Sequence, residues 1–308
     1  MKVSVKRFQL ALAFAGMIAI AAAAFAADSA KVIILGSGTP LPDPSSSGPA
    51  VAVVCNGQAY LFDAGAGVVR QAQAAAEKFN IAGLEPTHLT RLFVTHLHSD
   101  HTLGYPDLIL TPWVVGRSQP LDVYGPKGIA AMTDHLKQAY AADIQTRTAG
   151  LERLNPSGLV VNVHEIEGAG VVYKDANVTV SSIVVKHGSW PQAFGYAIDA
   201  GGRRIVISGD TRPTQAIIDA CHGCDVLIHE VYSEDRFDLV FGASRGQYHR
   251  SFHTSTSELA KLASQAKPKL LVLYHQLYFG VPEEVDLVKE IRRTYPGLVV
   301  NGRDLAEY

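Results

Sequence analysis

Apolar residues fall along this chain in short runs bounded by Gly, Pro, Asn and Asp, with longer helical patterns between them. Val32 to Leu35 reads as a strand that breaks into a Gly/Pro/Ser-rich loop, GSGTPLPDPSSSGP, too poor in apolar residues to be core. AVAVVC and QAYLF flank Asn56-Gly57, a strong hairpin signal, so Ala50 to Phe62 is expected as an antiparallel pair ended by Asp63-Ala64-Gly65. Val68 to Phe79 predicts an Ala-rich helix and Arg91 to Val94 a strand. The helical pattern returns from Thr102, Leu121 to Tyr124 predicts a short strand, Ile129 to Ala142 a helix, and the polar stretch 143 to 158 a connection. Five strands are expected next, at Leu159 to Ile166, Val171 to Tyr173, Val178 to Lys186, Ala193 to Asp199 and Arg204 to Ser208. The final third alternates: helix 214 to 221, strand 225 to 228, helix 255 to 266, strand 269 to 274, helix 283 to 293, strand 297 to 299. Strand runs in both halves, separated and followed by helices, predict an α/β four-layer αββα sandwich of two mixed β-sheets flanked by helices.

The first residues bear on address. Lys2, Lys6 and Arg7 precede an uncharged run from Leu10 to Ala24, and Ala24-Phe25-Ala26 supplies a small-x-small cleavage pattern. Residues 1–26 are therefore expected as a signal peptide and 27–308 as a single domain, periplasmic or secreted. The apolar run is about 15 residues, short of the ~20 that span a bilayer, so no stable membrane span is expected after cleavage. A net charge of −2 gives no global basic field to attract nucleic acid. Of the three cysteines, Cys55 stands alone, while Cys221 and Cys224 form a CxxC without a thioredoxin-like surround. A local disulfide or inert thiols fit that pair better than a redox couple or a metal site.

The densest chemistry is VTHLHSDHTLG, which places His96, His98, Asp100 and His101 within six positions behind a strand. Catalytic zinc usually takes three protein ligands and structural zinc four, so this turn serves one crowded ion or parts of two. Three further residues of metal-binding type follow apolar runs: His187 in SSIVVKHGSW, Asp210 in IVISGDTRP and His275 in LLVLYHQ. Taken singly, a strand-end His is more often a rim residue and a Gly-Asp a turn. Together with the HxHxDH turn they predict one cluster, and its lack of Cys argues against a closed structural site.

HLHSDH, the downstream His187, the Gly209-Asp210-Thr211 turn and His275 resemble, in that order, the metallo-β-lactamase-fold hydrolases, from about Lys31 to the C-terminus. The loop GTPLPDPSSSGP, the GDTRP turn and HTSTSELA place the resemblance nearer ribonuclease Z and the zinc-dependent arylsulfatase-like enzymes than the true β-lactamases. It implies two Zn²⁺, with Mn²⁺ or Fe²⁺ also compatible: His96, His98 and His187 on one, Asp100, His101 and His275 on the other, and Asp210 bridging. His164 is set aside in favour of His187 because it lacks the FGY strand, 194 to 196, that follows the ligand in relatives. HEVY and FHTST match two ribonuclease Z motifs, which implies that Glu230 orients His253 and that His253 stabilises charge on the substrate or protonates the leaving group. Val231-Tyr232 departs from the small residues usual there. Asp100 counts with these two as a catalytic group as well as a ligand.

The activity expected is metal-assisted hydrolysis of sulfate or phosphate esters, arylsulfatase-like, in which paired cations make hydroxide available near neutral pH. The alternatives are a ribonuclease Z-type phosphodiesterase and a lactone or β-lactam hydrolase. Export, and the absence of a Gly-rich basic arm after YGPKG at 124 to 128, count against tRNA. The expected partner is accordingly a small anionic ester, with nucleic acid disfavoured and a homodimer left open. Ser233 to Arg250 reads as a lid that brings Tyr248 and Arg250 near the mouth, Arg250 holding an anion or standing as a solvated charge. Trp113, Trp190 and Phe279 read as packing.

Overall fold

The computed structural model describes residues 30–280 and 285–308, without the side chains of 242–245; the expected signal peptide and the start of the expected helix 283 to 293 lie outside the described residues. In the first half, β1 (Lys31–Gly36), β2 (Ala50–Cys55) and β3 (Gln58–Phe62) pair antiparallel, with Asn56 and Gly57, both at positive φ, closing the expected hairpin. Helix α1 (Val68–Phe79), β4 (Arg91–Phe93), the single turn α2 (Ser99–Thr102), α3 (Tyr105–Val114), β5 (Leu121–Gly125), α4 (Ile129–Ala139), α5 (Ala141–Ala149) and β6 (Val161–Glu165) follow. The sheet order is β1-β2-β3-β4-β5-β6, parallel from β3 onward.

The second half carries β7 (Gly170–Lys174), β8 (Val178–Val184), β9 (Phe194–Ala200), β10 (Arg203–Ile207), α6 (Gln215–Cys221) and β11 (Val226–Tyr232). Next come α7 (Glu234–Arg245), α8 (Gln247–Phe252), α9 (Thr256–Ala266), β12 (Leu270–Leu277), α10 (Leu287–Arg292) and β13 (Val299–Asn301). Its seven strands run β13-β12-β11-β10-β9-β8-β7, parallel to β10 and antiparallel beyond. Period-two alternation divides the core. Val32, Ile34, Val51 and Phe62 meet Phe194, Tyr196, Ile198, Ile205 and Ile228 between the sheets, while their neighbours Ile33, Leu35 and Leu61 face α1 and α3. Leu227, Leu271 and Leu273 turn outward onto α6, α9 and α10. Each fully buried side chain of this kind stabilises by about 1.5–3 kcal/mol, and α1 approaches its sheet closely because Ala72, Ala75 and Ala76 form its buried stripe. The four-layer αββα sandwich is thus present as expected.

Local differences from the sequence reading have physical causes. The stretch expected as a polar connection contains α5, which buries none of its residues and so shows no apolar period. The segment expected as a loop-like lid is helical, α7 and α8: the rings of Phe237 and Phe241 meet tilted at 5.1 Å, Phe237 packing on Tyr232 and both on Phe279. Strands β11 and β12 run further than expected, so His229, Glu230 and His275 lie inside strands.

Candidate metal centre

Both sheets deliver polar side chains to a common edge. The loop leaving β4 carries His96 and His98, and α2 carries Asp100 and His101. His187 lies beyond β8 and Asp210 beyond β10. The Asp210 turn needs its glycine: Gly209 has φ +58, and a Cβ there would lie 2.5 Å from the carbonyl oxygen of Phe194. His275 occupies a bulge in β12, where the register with β11 skips one residue and φ is +46. A bulge re-aims a side chain out of the regular pleat, and strained backbone of this kind clusters at functional sites.

All seven residues expected as ligands meet there. His98 Nδ1 lies 2.9 Å from His96 Nε2 and 3.0 Å from His187 Nε2. Asp100 Oδ2 lies 3.2 Å from His275 Nε2 and 3.4 Å from His101 Nε2. Asp210 stands between the groups, Oδ1 3.4 Å from His101 Nε2 and Oδ2 3.4 Å from His275 Nε2 and 4.0 Å from His96 and His187 Nε2. Nitrogens around a tetrahedral zinc at about 2.0–2.1 Å sit roughly 3.3 Å apart, so this spacing is that of a ligand shell. Moreover, His101 Nε2 and Asp210 Oδ1 are buried without a hydrogen-bond partner, at a cost of about 1–3 kcal/mol each unless a cation satisfies them. Three overlapping donor sets could hold an ion: His96, His98, His187 and Asp210; Asp100, His101 and His275; and Asp210, His253 and His275.

The far nitrogens of four imidazoles are also held; for His96, His101 and His187 the partner is an acceptor, which keeps the proton outside and the Nε2 lone pair facing the cluster, whereas the bond that Trp190 donates to His98 Nε2 leaves the proton of that neutral ring on Nδ1. Thr95 Oγ1 lies 3.0 Å from His96 Nδ1, Trp190 Nε1 donates to His98 Nε2 at 2.6 Å, and His187 Nδ1 is 2.8 Å from the carbonyl oxygen of Phe252. Asp63 Oδ2 takes His101 Nδ1 at 2.8 Å and accepts from the Thr95 hydroxyl at 2.9 Å, while Oδ1 accepts from Thr95 N–H at 2.7 Å. Sequence reasoning missed Asp63, whose only signal is an acid directly after an apolar strand, and took Trp190 for packing. Trp113 does pack, its indole donating to the Asn155 carbonyl, and Phe279 joins the Tyr232–Phe237 cluster. His164 stacks on Tyr124 and stays out of the centre.

Electrostatics divide the imidazoles. Burial pushes His96 and His98 down and His187 to about 4, which keeps these rings uncharged near neutral pH. Burial also opposes charge on His101 and His275, but the carboxylates, Asp210 foremost, outweigh it and raise both. Asp210 is held well below the carboxylate range despite burial, by His275, His101 and His96. A cation entering the second set therefore displaces protons, so its affinity falls as pH falls.

Glu230 and His253 lie alongside. Glu230 Oε1 accepts from Thr254 N–H at 2.8 Å, and Oε2 lies 3.4 Å from His253 Nδ1, which is 3.9 Å from Asp210 Oδ2. Burial raises Glu230 well above the usual range, Asp210 adding to it, and burial lowers His253 to about 4. Arg250 is exposed and engaged away from the centre, paired with Asp238 at 3.2 Å and lying over the Phe237 ring at 5.0 Å, which favours a solvated charge over an anion contact, the two readings left open by the sequence. Cys221 and Cys224 are joined in a disulfide, and Cys55 is buried.

Two packed mixed sheets with a buried His/Asp donor set at their common edge define a metal-dependent hydrolase. A model of the Beta-lactamase superfamily domain matches residues 58–276. The chain is 30% identical to ribonuclease Z of Mycobacterium marinum (strain ATCC BAA-535 / M), covering 89% of this chain and 96% of that one. It is 32% identical to ribonuclease Z of Mycobacterium sp. (strain KMS), covering 89% and 94%. Among solved structures, human tRNase Z, short form, superposes with a TM-score of 0.64 at 23% identity over 90% of this chain and 98% of that one. The metallo-β-lactamase fold protein YhfI from Bacillus subtilis gives 0.68 at 18% identity over 91% and 99%. The chain belongs to the metallo-β-lactamase superfamily, in its ribonuclease Z branch. These relatives correct the expected partner, a small ester with nucleic acid disfavoured: both mycobacterial enzymes are named for cleaving RNA. Charge balance and a missing arm describe the surface, and neither bears on what the metal centre cleaves.

Proposed function

We propose that this protein is a phosphodiesterase that cleaves RNA with two divalent cations, zinc by preference. The observation that carries the reading is likeness to enzymes named ribonuclease Z over 89% of the chain. His96, His98 and His187 would hold one cation and Asp100, His101 and His275 the other, with Asp210 facing both. Bound there, the cations supply Lewis acidity toward phosphoryl oxygens and lower the pKa of water. Asp63 keeps the His101 proton on Nδ1, so that Nε2 presents its lone pair inward. Glu230, kept protonated by burial, faces Nδ1 of His253, a placement that favours the tautomer with its proton on Nε2. As Nε2 gives that proton to the leaving oxygen, the Glu230 carboxyl passes its own to Nδ1, so that His253 ends neutral and Glu230 a carboxylate, a contribution typically of ~10²–10⁴ in rate.

We further propose that the enzyme is exported, a reading supported by the signal-like residues 1–26 and by the Cys221–Cys224 disulfide. The test is to incubate metal-replete protein with a 3′-extended tRNA, an unstructured oligoribonucleotide, bis(p-nitrophenyl) phosphate and p-nitrophenyl sulfate. EDTA-sensitive cleavage of either RNA is expected. Hydrolysis of the aryl sulfate with both RNAs left intact would overturn the proposal.

A further inference from the structure

Beside His187 opens a cleft of about 690 Å³, within the range of about 300–1,000 Å³ typical of ligand sites, that has no part in the steps above. Lys186 and Arg212 line one side, exposed and springing from neighbouring backbone, since Arg212 N–H donates to the Lys186 carbonyl at 2.9 Å. Neither is in an ion pair among the described residues. On the other side lies Phe252, its ring 4.9 Å from that of His187. Tyr248, 53% exposed, stacks on Phe252 at 4.3 Å and 25°. The approach of Phe252 depends on Gly188, where φ is +52 and a Cβ would lie 2.1 Å from the ring. Free cations thus face an aromatic platform across a cleft that ends on a residue of the metal centre.

We propose that this cleft holds single-stranded RNA next to the scissile bond, Lys186 and Arg212 taking a backbone phosphate and the Tyr248–Phe252 pair stacking a base. This rests on the RNA reading above and adds how the strand is held. Arginine pairs with phosphate through two parallel N–H bonds, and lysine adds a point charge. Aromatic rings stack on any unpaired base, whereas a duplex keeps its bases inside, so the platform selects single strands. No negative side chain stands among the residues of the cleft wall.

The test uses the full chain and a fluorescein-labelled octaribonucleotide, with anisotropy read in EDTA so that nothing is cleaved. The Lys186→Ala/Arg212→Ala variant is expected to bind at least tenfold more weakly at 0.1 M salt, and its slope of log affinity against log salt to shrink by about 0.7, the change for one phosphate contact. Tyr248→Ala is expected to weaken binding about tenfold, with rescue by Tyr248→Phe. In metal-loaded protein, the ratio of oligonucleotide to bis(p-nitrophenyl) phosphate turnover should fall at least tenfold in both. Arg212→Ala alone, which spares the neighbour of His187, carries the charge test should the double variant lose metal. Wild-type affinity and salt slope in these variants, or duplex RNA bound by the native protein as tightly as the single strand, would overturn the cleft while leaving RNA cleavage standing. A native protein that hydrolyses the bis-aryl phosphate but neither binds nor cleaves RNA would overturn both readings together.

Discussion

Replacing Asp63 by Asn tests whether one carboxylate sets the tautomers on which the metal centre depends. Asp63 is 1% exposed at φ +61, a conformation Asn tolerates, so the backbone need not move. Its Oδ1 accepts from Thr95 N–H at 2.7 Å, and an Asn oxygen keeps that bond. Oδ2 faces both His101 Nδ1 at 2.8 Å and the Thr95 hydroxyl at 2.9 Å, and the amide NH₂ replaces this acceptor with a donor. His101 must then accept at Nδ1 and carry its proton on Nε2, the atom 3.4 Å from both Asp100 and Asp210. Thr95 loses its acceptor too, and its hydroxyl turns toward His96 Nδ1, 3.0 Å away, pressing the same change on the other donor set. A hydrogen bond to a charged group contributes about 1.5–3 kcal/mol, and loss of an outer partner costs about 10–100-fold in metal affinity. We expect Asp63→Asn to bind its second zinc at least tenfold more weakly in competition with a chromogenic chelator, with bis(p-nitrophenyl) phosphate turnover falling in proportion. Two zinc ions per chain held within twofold of native affinity would refute the relay.

His253→Ala should retain its metal content yet turn over about 10²–10⁴ more slowly, with the loss growing as the leaving group worsens; equal loss for good and poor leaving groups would remove the acid role. Gly188→Ala forces Phe252 away and with it the carbonyl that holds His187 Nδ1, so metal retained after dialysis should drop from the native value; unchanged retention would contradict this. His229 is buried, and burial pushes it from 6.5 to about 4. The unfolded chain thus protonates first, and the stability present above pH ~6.5 is lost as pH falls toward 4, by at most about 3 kcal/mol. In urea titrations His229→Asn should therefore lose less stability than wild type between pH 7 and 4.5, and parallel losses would sink the argument.

What the sequence disclosed and what it hid follow from the range of the interactions. The hairpin at Ala50 to Phe62 and the helix Val68–Phe79 are local facts, written in Asn56-Gly57 and in an apolar period. The ligand residues were visible because each set follows an apolar run, His275 inside a strand that runs on past it, so type and position carried the signal together. Asp63 was hidden because its meaning lies in His101, 38 residues on, and a lone acid at a strand end reads as a turn. Helix α5 was missed because it buries nothing, and α7 because Phe237 and Phe241 are too few against a polar background to outvote its composition. The partner could not be read at all from net charge, which sums over the surface and says nothing of Lys186 and Arg212 facing one cleft.

His96, His98, Asp100 and His101 hang from the first sheet, and His187, Asp210 and His275 from the second. A loaded centre would therefore add a further stitch between two halves of the chain that already meet through their apolar interior and through hydrogen bonds such as Tyr60 to Asp175, Arg91 to Tyr173 and Tyr196 to the Val94 carbonyl. Chelators should then behave as mild denaturants, and the melting temperature of a dilute sample should report how much free cation surrounds it.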